Sequence, residues 1–391
     1  MKLFVLLSRV PYPLEKGDKL RAFNQIKELS NNHEIYLCAL NDTKLHPEAK
    51  QILSAYCKEI HIFPISKWSI FVNVLRFFFM GKPLQCGYFY NRNTHKKIRK
   101  LINSIQPDHI YSQLIRTSEY VKDSTIKKTL DYQDAFSKGF FRMMKTSPFW
   151  IRWFLLLEHK RLVAYEKKIF SYFDYKTIIT EIDRSFIQHP EADKITVVPN
   201  GVDFSIFKSI QVEKKYDLLF TGNFSYPPNI DAAVYLVNEI FPIVREKYPT
   251  INIVLCGANP AEKVLDLQQE NVLVTGWVDD ISEYYALSRV FIAPMRLGTG
   301  LQNKLLEAMA MQLPCITSAL ASNPLHAENG KEIMVCNNTS EFAHAIDVLL
   351  SQPTLYQEIS SNGYKFVNEN YTWEATTAIL EKLISQNQSN E

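Results

Sequence analysis

The sequence predicts an α/β protein made of two doubly wound domains that face each other across a cleft. Short apolar runs alternate with stretches whose apolar residues follow helical spacing, which is typical of parallel sheets covered by helices on both faces. A turn-rich and then polar stretch at 203–214 interrupts this alternation, which afterwards restarts. A chain of 391 residues is also long enough for about two domains, each with its own core. We therefore place the domains at 1–205 and 206–374.

The first half contains short apolar runs that predict strands. These runs lie at 2–8, 35–40, 60–64, 109–112, 128–132, 177–180 and 195–198. Between the first three of these runs, residues 18–30 and 48–57 have the apolar spacing of helices. Gly17 stands just before the first helix, where a glycine turn leaves backbone N–H groups available to an anion.

Polar residues follow the fifth predicted strand. Asp131, Tyr132, Gln133 and Asp134 stand at its carboxyl end. Open α/β sheets place their ligands at this end of the strands. The four residues are therefore candidates for a ligand site in the first domain.

Two stretches of the first half, 67–82 and 138–173, combine aromatic and apolar residues with cations. Cationic amphipathic helices that carry Trp and Phe suit a membrane interface with anionic lipids. The alternative is aromatic core helices packed against the sheet. The membrane interpretation is favoured at 141–157, because Phe149, Trp150, Trp153 and Phe154 are too crowded for one buried stripe.

The charge distribution sets the two halves apart. The formal net charge is +3, but residues 1–170 hold 29 Lys and Arg against 14 Asp and Glu, whereas residues 171–391 hold 15 against 27. This asymmetry predicts a first half that meets an anionic surface or an anionic substrate. We expect no nucleic-acid partner, because the cations are scattered among apolar runs without zinc-ligand spacing.

The cysteines and the N-terminus bear on the compartment. Six cysteines form no CxxC pair, and several lie in apolar runs, so we expect buried thiols in a reducing cytoplasm and no metal site. The first apolar run is shorter than the core of a signal peptide. No stretch reaches the ~20 apolar residues of a membrane span. We expect a cytoplasmic protein.

The second half repeats the alternation of strands and helices. Strands are predicted at 216–221, 251–256, 272–275, 290–293 and 315–317. Helices are predicted at 230–247, 281–287, 302–313, 341–350, 353–369 and 372–384. Two predicted strands end at glycines, Gly257 and Gly276, and so leave room for a ligand near the backbone.

The stretch 293–318 is organised as strand, glycine loop, helix and strand. Gly298, Thr299 and Gly300 precede the helix, whose first turns carry Lys304 and Glu307 on one face. A glycine turn at a helix start is an anion site, and Lys304 is unfavourable there unless it faces an anion. The arrangement suits a nucleoside diphosphate, with Glu307 accepting from ribose hydroxyls. The alternative is an ordinary turn with a solvated Lys and Glu.

At this point the chain resembles retaining glycosyltransferases of family 4, which have the GT-B fold. The matching segments are VVPNGVD at 197–203, LLFTGNF at 218–224, VTGWVDDISEYYALSRVFIAPM at 274–295, GTGLQNKLLEAMAMQLPCITS at 298–318 and NYTWEATTAIL at 370–380, with a looser match at 11–23. The details look most like the subgroup that serves bacterial exopolysaccharide and cell-surface glycan assembly. The resemblance implies a last helix, 375–391, that packs back on the first domain.

The resemblance also implies roles for particular residues. Glu307 matches the second of the family's paired glutamates, which holds the ribose, whereas Thr299 replaces the first. The family's Arg and Lys for the diphosphate are replaced around Gly222, Asn223 and YPPN at 226–229, so Lys304 and Arg296 are expected to supply the charge.

Further roles concern the first domain and the nucleobase. Gly17 matches the glycine loop of the first domain, and the backbone of 276–278 would meet the nucleobase. Gln133 stands where the family often has a His, and Asp134 is the candidate for a polar group facing the acceptor or the sugar. The alternative for Asp134 is a helix cap.

The complete set of expected site residues follows from both lines of reasoning. The expected catalytic residues are Asp134, Lys304 and Glu307. The expected donor-binding residues are Gly17, Gly222, Asn223, Gly257, Gly276, Val278, Arg296, Gly298, Thr299, Gly300, Leu301, Lys304 and Glu307.

The resemblance implies a retaining transfer of a sugar from a UDP- or GDP-sugar to a membrane-associated or glycan acceptor. It implies no cofactor and no metal, and the missing DxD motif agrees. The expected location is the inner face of the plasma membrane, against an anionic surface. Two alternatives stay open: a noncatalytic glycosyltransferase-like partner subunit, because of Thr299, Asn223 and Gln133, and a GT-B epimerase acting on the nucleotide sugar.

Overall fold

The computed structural model describes residues 1–298 and 300–385, which divide into two compact units. Unit 1 comprises Met1–Pro199 and the chain from Thr377 onward, and unit 2 comprises Asn200–Thr376. The first boundary therefore precedes the predicted one at 205/206. The reason is local pairing within unit 2, because the Val202 N–H donates to the Tyr371 carbonyl oxygen over 2.8 Å.

Unit 1 is built on a seven-stranded parallel sheet. Its strands are β1 (Lys2–Leu7), β2 (Glu34–Asn41), β3 (Glu59–Pro64), β4 (His109–Gln113), β5 (Lys128–Asp131), β6 (Tyr175–Ile178) and β7 (Thr196–Val197). The spatial order is β3-β2-β1-β4-β5-β6-β7. The order reverses between β1 and β4, and doubly wound sheets bind ligands outside the carboxyl ends of strands at such a point. Each strand overlaps one of the predicted apolar runs.

Helices cover both faces of this sheet. They are α1 (Gly17–Leu29), α2 (Ala49–Ser54), α3 (Lys67–Phe79), α4 (Leu84–Phe89), α5 (Arg92–Ile105), α6 (Ser118–Val121), α7 (Phe136–Thr146), α8 (Phe149–Phe170) and α9 (Glu181–Arg184). The aromatic stretch 138–173 is thus two helices. Pro148 separates them, because proline disfavours helical geometry at the residue before it and Ser147 is extended.

The two faces of unit 1 have separate apolar cores. Phe4 and Leu6 contribute to one core, whereas Leu3, Val5 and Leu7 contribute to the other. This alternation follows from the period of two in a strand, and a parallel sheet needs both faces covered. The last helix, α18 (Trp373–Ser385), adds Leu380 and Ile384 to the second core.

Unit 2 is built on a six-stranded parallel sheet. Its strands are β8 (Tyr216–Thr221), β9 (Ile253–Cys256), β10 (Val272–Gly276), β11 (Ser288–Ala293), β12 (Cys315–Ser318) and β13 (Met334–Cys336). The order is β10-β9-β8-β11-β12-β13, so the reversal lies between β8 and β11. The sequence did not predict β13, since three residues are too short to show a period.

The helices of unit 2 surround its sheet in the same way. They are α10 (Pro227–Tyr235), α11 (Phe241–Lys247), α12 (Glu262–Leu265), α13 (Ile281–Ala286), α14 (Asn303–Ala310), α15 (Ala319–Ser322), α16 (Thr339–Ser351) and α17 (Pro353–Asn370). The single helix predicted at 230–247 contains a π-helical turn at Leu236–Ile240. Pro242 explains this turn, because it has no N–H for the helical ladder.

The described residues contain six free, buried cysteines at positions 38, 57, 86, 256, 315 and 336. Across the described ranges no helix is long and apolar enough to cross a membrane. Within those same ranges, no group of three or more His, Cys, Asp or Glu side chains could hold a metal ion.

Candidate active site

The strand order of unit 2 determines where its polar residues meet. β8 ends at Thr221 and is followed by Gly222, and β11 ends at Ala293. The chain leaves β11 after Ala293 and enters α14 at Asn303, and the first turn of α14 contains Lys304. Because β8 and β11 are neighbours at the reversal of strand order, residues after both strands converge at one edge of the sheet.

Lys304 is held by residues of β8 and α10. Its Nζ donates a hydrogen bond to Asn229 Oδ1 over 2.7 Å and lies 4.5 Å from the centre of the Phe220 ring. Burial lowers the pKa of Lys304 to about 7, although the charge of Glu307 opposes this shift. A bound anion would raise the pKa of Lys304 again and so stabilise its charged form. The site around the ammonium group therefore favours an anion.

Glu307 lies one helical turn further along α14 and is anchored by Tyr285. The Tyr285 hydroxyl donates to Glu307 Oε2 over 2.9 Å, and the Thr221 hydroxyl lies 2.8 Å from the same phenol oxygen. Burial raises the pKa of Glu307. Among the described residues nothing donates to its second oxygen, Oε1, which leaves this oxygen for a ligand hydroxyl.

Glycines keep the floor of the site open. A Cβ at Gly222 would lie 2.8 Å from Asn229 Nδ2 and 3.1 Å from Lys304 Nζ. A Cβ at Gly257 would lie 1.9 Å from the Gly222 carbonyl oxygen, and the φ of Gly257 is +150°. Both positions therefore require glycine, because a side chain would displace the residues that hold Lys304.

Arg296 does not join Lys304 as the sequence led us to expect. Its guanidinium makes two contacts with Asp231, of 2.9 and 3.1 Å, and a third with Glu239 at 3.3 Å. It also lies 4.1 Å from the centre of the Tyr235 ring. Two carboxylates of the neighbouring helical segments thus pair with Arg296, and its role toward a diphosphate stays a prediction.

The remaining expected donor residues of unit 2 shape the loops. Asn223 uses Oδ1 to accept from the N–H and the hydroxyl of Ser225, and its carbonyl accepts from Asn229 Nδ2 over 2.9 Å. Gly276 and Gly298 have φ values of +70° and +97°. Val278 and Leu301 are partly buried against the core of unit 2, and Gly300 lies shortly before the start of α14. Thr299 lies outside the described residues.

Sequence reasoning missed the residues that position Lys304 and Glu307. Asn229 and Tyr285 are 75 and 22 positions away from the residues they bind. Trp277, which lies between Gly276 and Val278, is exposed and was also missed. The only local signal was the position of Asn229 at the end of YPPN, where the resemblance led us to expect a cation.

Unit 1 has a buried ion pair beneath the carboxyl ends of its central strands. The Arg21 guanidinium donates to both carboxylate oxygens of Asp131, over 2.7 and 3.3 Å, and both side chains are almost fully buried. Asp131 also accepts from the hydroxyls of Tyr111, over 2.8 Å, and Thr177, over 2.9 Å. This network joins α1 to β4, β5 and β6, and it has a structural role.

Asp134 stands above this network, beyond the end of β5. Desolvation by the surrounding protein and repulsion from Asp183 raise the pKa of Asp134 to about 7. Part of the side chain is still exposed to solvent. The preceding residue, Gln133, has a φ of +61° and a buried Nε2 that has no hydrogen-bond partner among the described residues. The Asp134 side chain is therefore accessible to a ligand at this edge, whereas Gln133 lies buried beside it.

The loop between β1 and α1 lines a basic cavity. The cavity has a volume of about 360 Å³ and lies between this loop and the loop after β2. Its charged lining consists of Arg9, Lys16, Lys19 and Lys44 with His46, against Glu15 and Asp42. Gly17 starts α1 beside this cavity, with no atom within 4 Å of an added Cβ. An anionic group fits this lining.

The lowered pKa of Lys304 predicts that nucleotide binding takes up protons. A bound diphosphate raises that pKa, so between the two pKa values the complex holds more protons than the free protein and affinity falls as pH rises above about 7. Calorimetric titration at pH 8, in buffers of different ionisation enthalpy, should show uptake of up to about one proton. Lys304→Gln should abolish the uptake, whereas Lys263→Gln, an exposed lysine of the same unit, should leave it unchanged. Equal uptake in both variants would contradict the assignment to Lys304.

Comparison with known proteins points to the same unit. Residues 215–352 match the family described as glycosyl transferases group 1. A relative from Klebsiella pneumoniae, described as an uncharacterized 44.6 kDa protein in the cps region, is 22% identical over 397 residues. That alignment covers 95% of this chain and 96% of the relative.

Solved structures match the whole chain. Sucrose-phosphate synthase from Thermosynechococcus elongatus has a TM-score of 0.70 at 14% identity and covers 100% of both chains. Anabaena Alr3699/HepE in complex with UDP and glucose has a TM-score of 0.68 at 12% identity, over 98% of this chain and 99% of that chain. These likenesses confirm the predicted GT-B type of fold, and the family match within unit 2 supports a glycosyltransferase.

Proposed function

We propose that the chain is a retaining glycosyltransferase that moves a sugar from a UDP- or GDP-sugar to a glycan or lipid-linked acceptor during bacterial surface polysaccharide synthesis. The observation that carries the proposal is the convergence of Lys304, Glu307 and Gly222 at the ends of β8 and β11. The cps-region relative supports the polysaccharide context. The UDP and UDP-glucose complexes of the Anabaena protein support the donor class.

Unit 2 binds the donor in this proposal. The diphosphate accepts from backbone N–H groups at the start of α14, which no described side chain caps, and from Lys304. Glu307 accepts from a ribose hydroxyl through Oε1, while Tyr285 holds Oε2. The exposed Trp277 and the backbone of Gly276 and Val278 meet the nucleobase.

The chemistry breaks the bond between the anomeric carbon and a diphosphate oxygen. An acceptor hydroxyl oxygen forms the new bond on the same face of the sugar, and its proton passes to the departing diphosphate. The main task of the protein is therefore to stabilise negative charge on the leaving group, which Lys304 and the amides of α14 do from fixed positions. The proposal assigns no metal and no further cofactor to this step.

Unit 1 binds the acceptor in this proposal. Its basic cavity suits an acceptor that carries a phosphate or carboxylate. Asp134 and Gln133, at the end of β5, are the polar groups assigned to acceptor or sugar hydroxyls. The pKa of Asp134, at about 7, lets its carboxyl group hold or release a proton near neutral pH.

The first test is a titration of UDP, GDP and ADP into the purified chain, followed by donor turnover with the nucleotide that binds. Binding of one nucleotide, with release of that nucleotide from its sugar conjugate, supports the proposal. Failure of all three to bind would instead favour a noncatalytic partner subunit. Conversion of the nucleotide sugar into its epimer without an acceptor would favour an epimerase.

We propose that the protein acts at the cytoplasmic surface of a membrane. Two helices of unit 1 expose large apolar side chains. On α3, Trp68 and Phe79 are 74% and 82% exposed, and on α8, Phe149 and Trp150 are 78% and 61% exposed. Exposed cations such as Arg76 and Arg152 accompany them. Aromatic anchors among cations suit an interface with anionic lipids.

Flotation with anionic vesicles should therefore bring the protein into the lipid fraction at low salt, and high salt should reduce the bound share. Trp150→Ser should weaken binding about tenfold or more, because burial of a large apolar side chain contributes ~1.5–3 kcal/mol. Trp277→Ser, at an exposed tryptophan of unit 2, is the matched control and should bind like the wild type. A wild type that stays out of the lipid fraction at low salt would refute the membrane proposal.

A further inference from the structure

The helix α3 ends beside a second basic cavity of unit 1. This cavity of about 190 Å³ is lined by the segment Met80–Pro83 that follows α3, by α6 and its next residue Lys122, and by α8. Met80 forms part of its rim, and the neighbouring Phe79 is one of the exposed aromatic side chains of α3. The cavity is therefore continuous with the proposed membrane-facing surface.

Four cations line this cavity against one carboxylate. They are Lys82, Lys122, Arg161 and Lys168, and the carboxylate is Glu119. Glu119 accepts from Lys82 Nζ over 2.9 Å, from Lys122 Nζ over 3.2 Å and from the Tyr165 hydroxyl over 2.8 Å. Both oxygens of Glu119 are thus occupied by the two lysines and by Tyr165. One carboxylate against four cations leaves the lining with an excess of positive charge.

Two of the cations have capacity left for a ligand. Arg161 Nη2 donates to the Phe78 carbonyl oxygen over 2.9 Å, whereas Nη1 is buried and has no hydrogen-bond partner among the described residues. Lys168 is exposed and forms no ion pair with any described residue. Glu158 lies near Arg161 but accepts from the Leu84 N–H over 2.6 Å, and burial raises its pKa.

We propose that this cavity binds the phosphate of an anionic phospholipid headgroup when the exposed faces of α3 and α8 lie on a membrane. A guanidinium with a free N–H and neighbouring ammonium groups match the oxygens of a phosphate. Met80 in the lining and the exposed Phe79 next to it would place the cavity at the depth of the headgroups. This inference rests on the membrane part of the proposed function and is independent of the sugar transfer.

The test compares the full chain and three variants on vesicles of phosphatidylcholine with and without phosphatidylglycerol. Lys168→Gln should weaken binding to the phosphatidylglycerol vesicles about fivefold, the share of one cation near an anionic surface. Arg161→Gln should weaken it further, because it removes the free guanidinium N–H. Lys50→Gln, an exposed lysine on α2, is the matched control and should change affinity less than about twofold, since it lies outside the cavity. Binding to pure phosphatidylcholine should be the same for all four proteins.

Three outcomes would overturn the inference. Equal losses in Lys168→Gln and Lys50→Gln would show diffuse attraction without a cavity site. Unchanged binding of Arg161→Gln, with wild-type thermal unfolding, would exclude the guanidinium as a ligand. Displacement of the protein from vesicles by inorganic phosphate at constant ionic strength would assign the cavity to a soluble anion. Nucleotide titration of the same preparations separates this result from a failure of the transferase proposal.

Discussion

Lys304→Ala is expected to weaken nucleotide binding by roughly 10- to 150-fold, because a hydrogen bond to a charged group contributes ~1.5–3 kcal/mol. The variant removes the only cation that the described part of the site places over Phe220 and beside Gly222. Turnover should fall further than binding, since charge on the leaving diphosphate grows in the transition state.

Glu307→Gln should weaken nucleotide binding by a similar factor for a different reason. The amide keeps the volume of the carboxylate but loses its charge, and it can direct an N–H group at the ribose hydroxyl or at Tyr285. Calorimetric titration of UDP, GDP and ADP measures both variants. The matched controls are Lys263→Ala and Glu283→Gln, which make the same changes at exposed positions of unit 2. Affinities equal to those of the controls would refute the site.

Asp131→Ala is expected to destabilise unit 1 by about 3–5 kcal/mol, because it removes a buried carboxylate that is ion-paired with the buried guanidinium of Arg21. The hydroxyls of Tyr111 and Thr177 lose an acceptor at the same time. The direction is clear from geometry, since α1, β4, β5 and β6 all contribute to this one network.

Urea unfolding followed by far-UV circular dichroism measures the effect. Tyr111→Phe is the milder comparison, because it removes only the hydroxyl that contacts Asp131 and Gln25, and it should cost about 1.5–3 kcal/mol. Nucleotide binding by unit 2 should be unchanged in both variants under native conditions. A stability of Asp131→Ala within 1 kcal/mol of the wild type would show that the pair contributes little.

Most of the sheet strands could be predicted because parallel strands are buried on both faces. Runs such as 2–8 and 216–221 are almost wholly apolar, which local sequence shows directly. The helix α5 was not predicted, although its buried side chains Ile98, Ile102 and Ile105 follow helical spacing. The π-helical turn before Pro242 was not predicted either, because one proline inside a helical pattern does not show how the chain accommodates the missing N–H.

The expected site residues divide according to the range of their contacts. Lys304 and Glu307 share one face of α14, which three-residue spacing predicts. Arg296, like Lys304, follows β11 in the chain and carries a positive charge, yet Asp231 and Glu239 bind it. Nothing in the residues around Arg296 indicates these partners, because they come from another part of the chain.

The sequence by itself determined the two α/β halves, the basic charge of the first, and the glycine loop that leads into α14. These properties are local or compositional, so the apolar residues and their spacing show them directly in the sequence. Only the tertiary structure decided that Asn229 holds Lys304, that Tyr285 holds Glu307, and that the aromatic faces of α3 and α8 stay exposed. The order of strands in the sheet brings distant residues together, and no local pattern encodes that order.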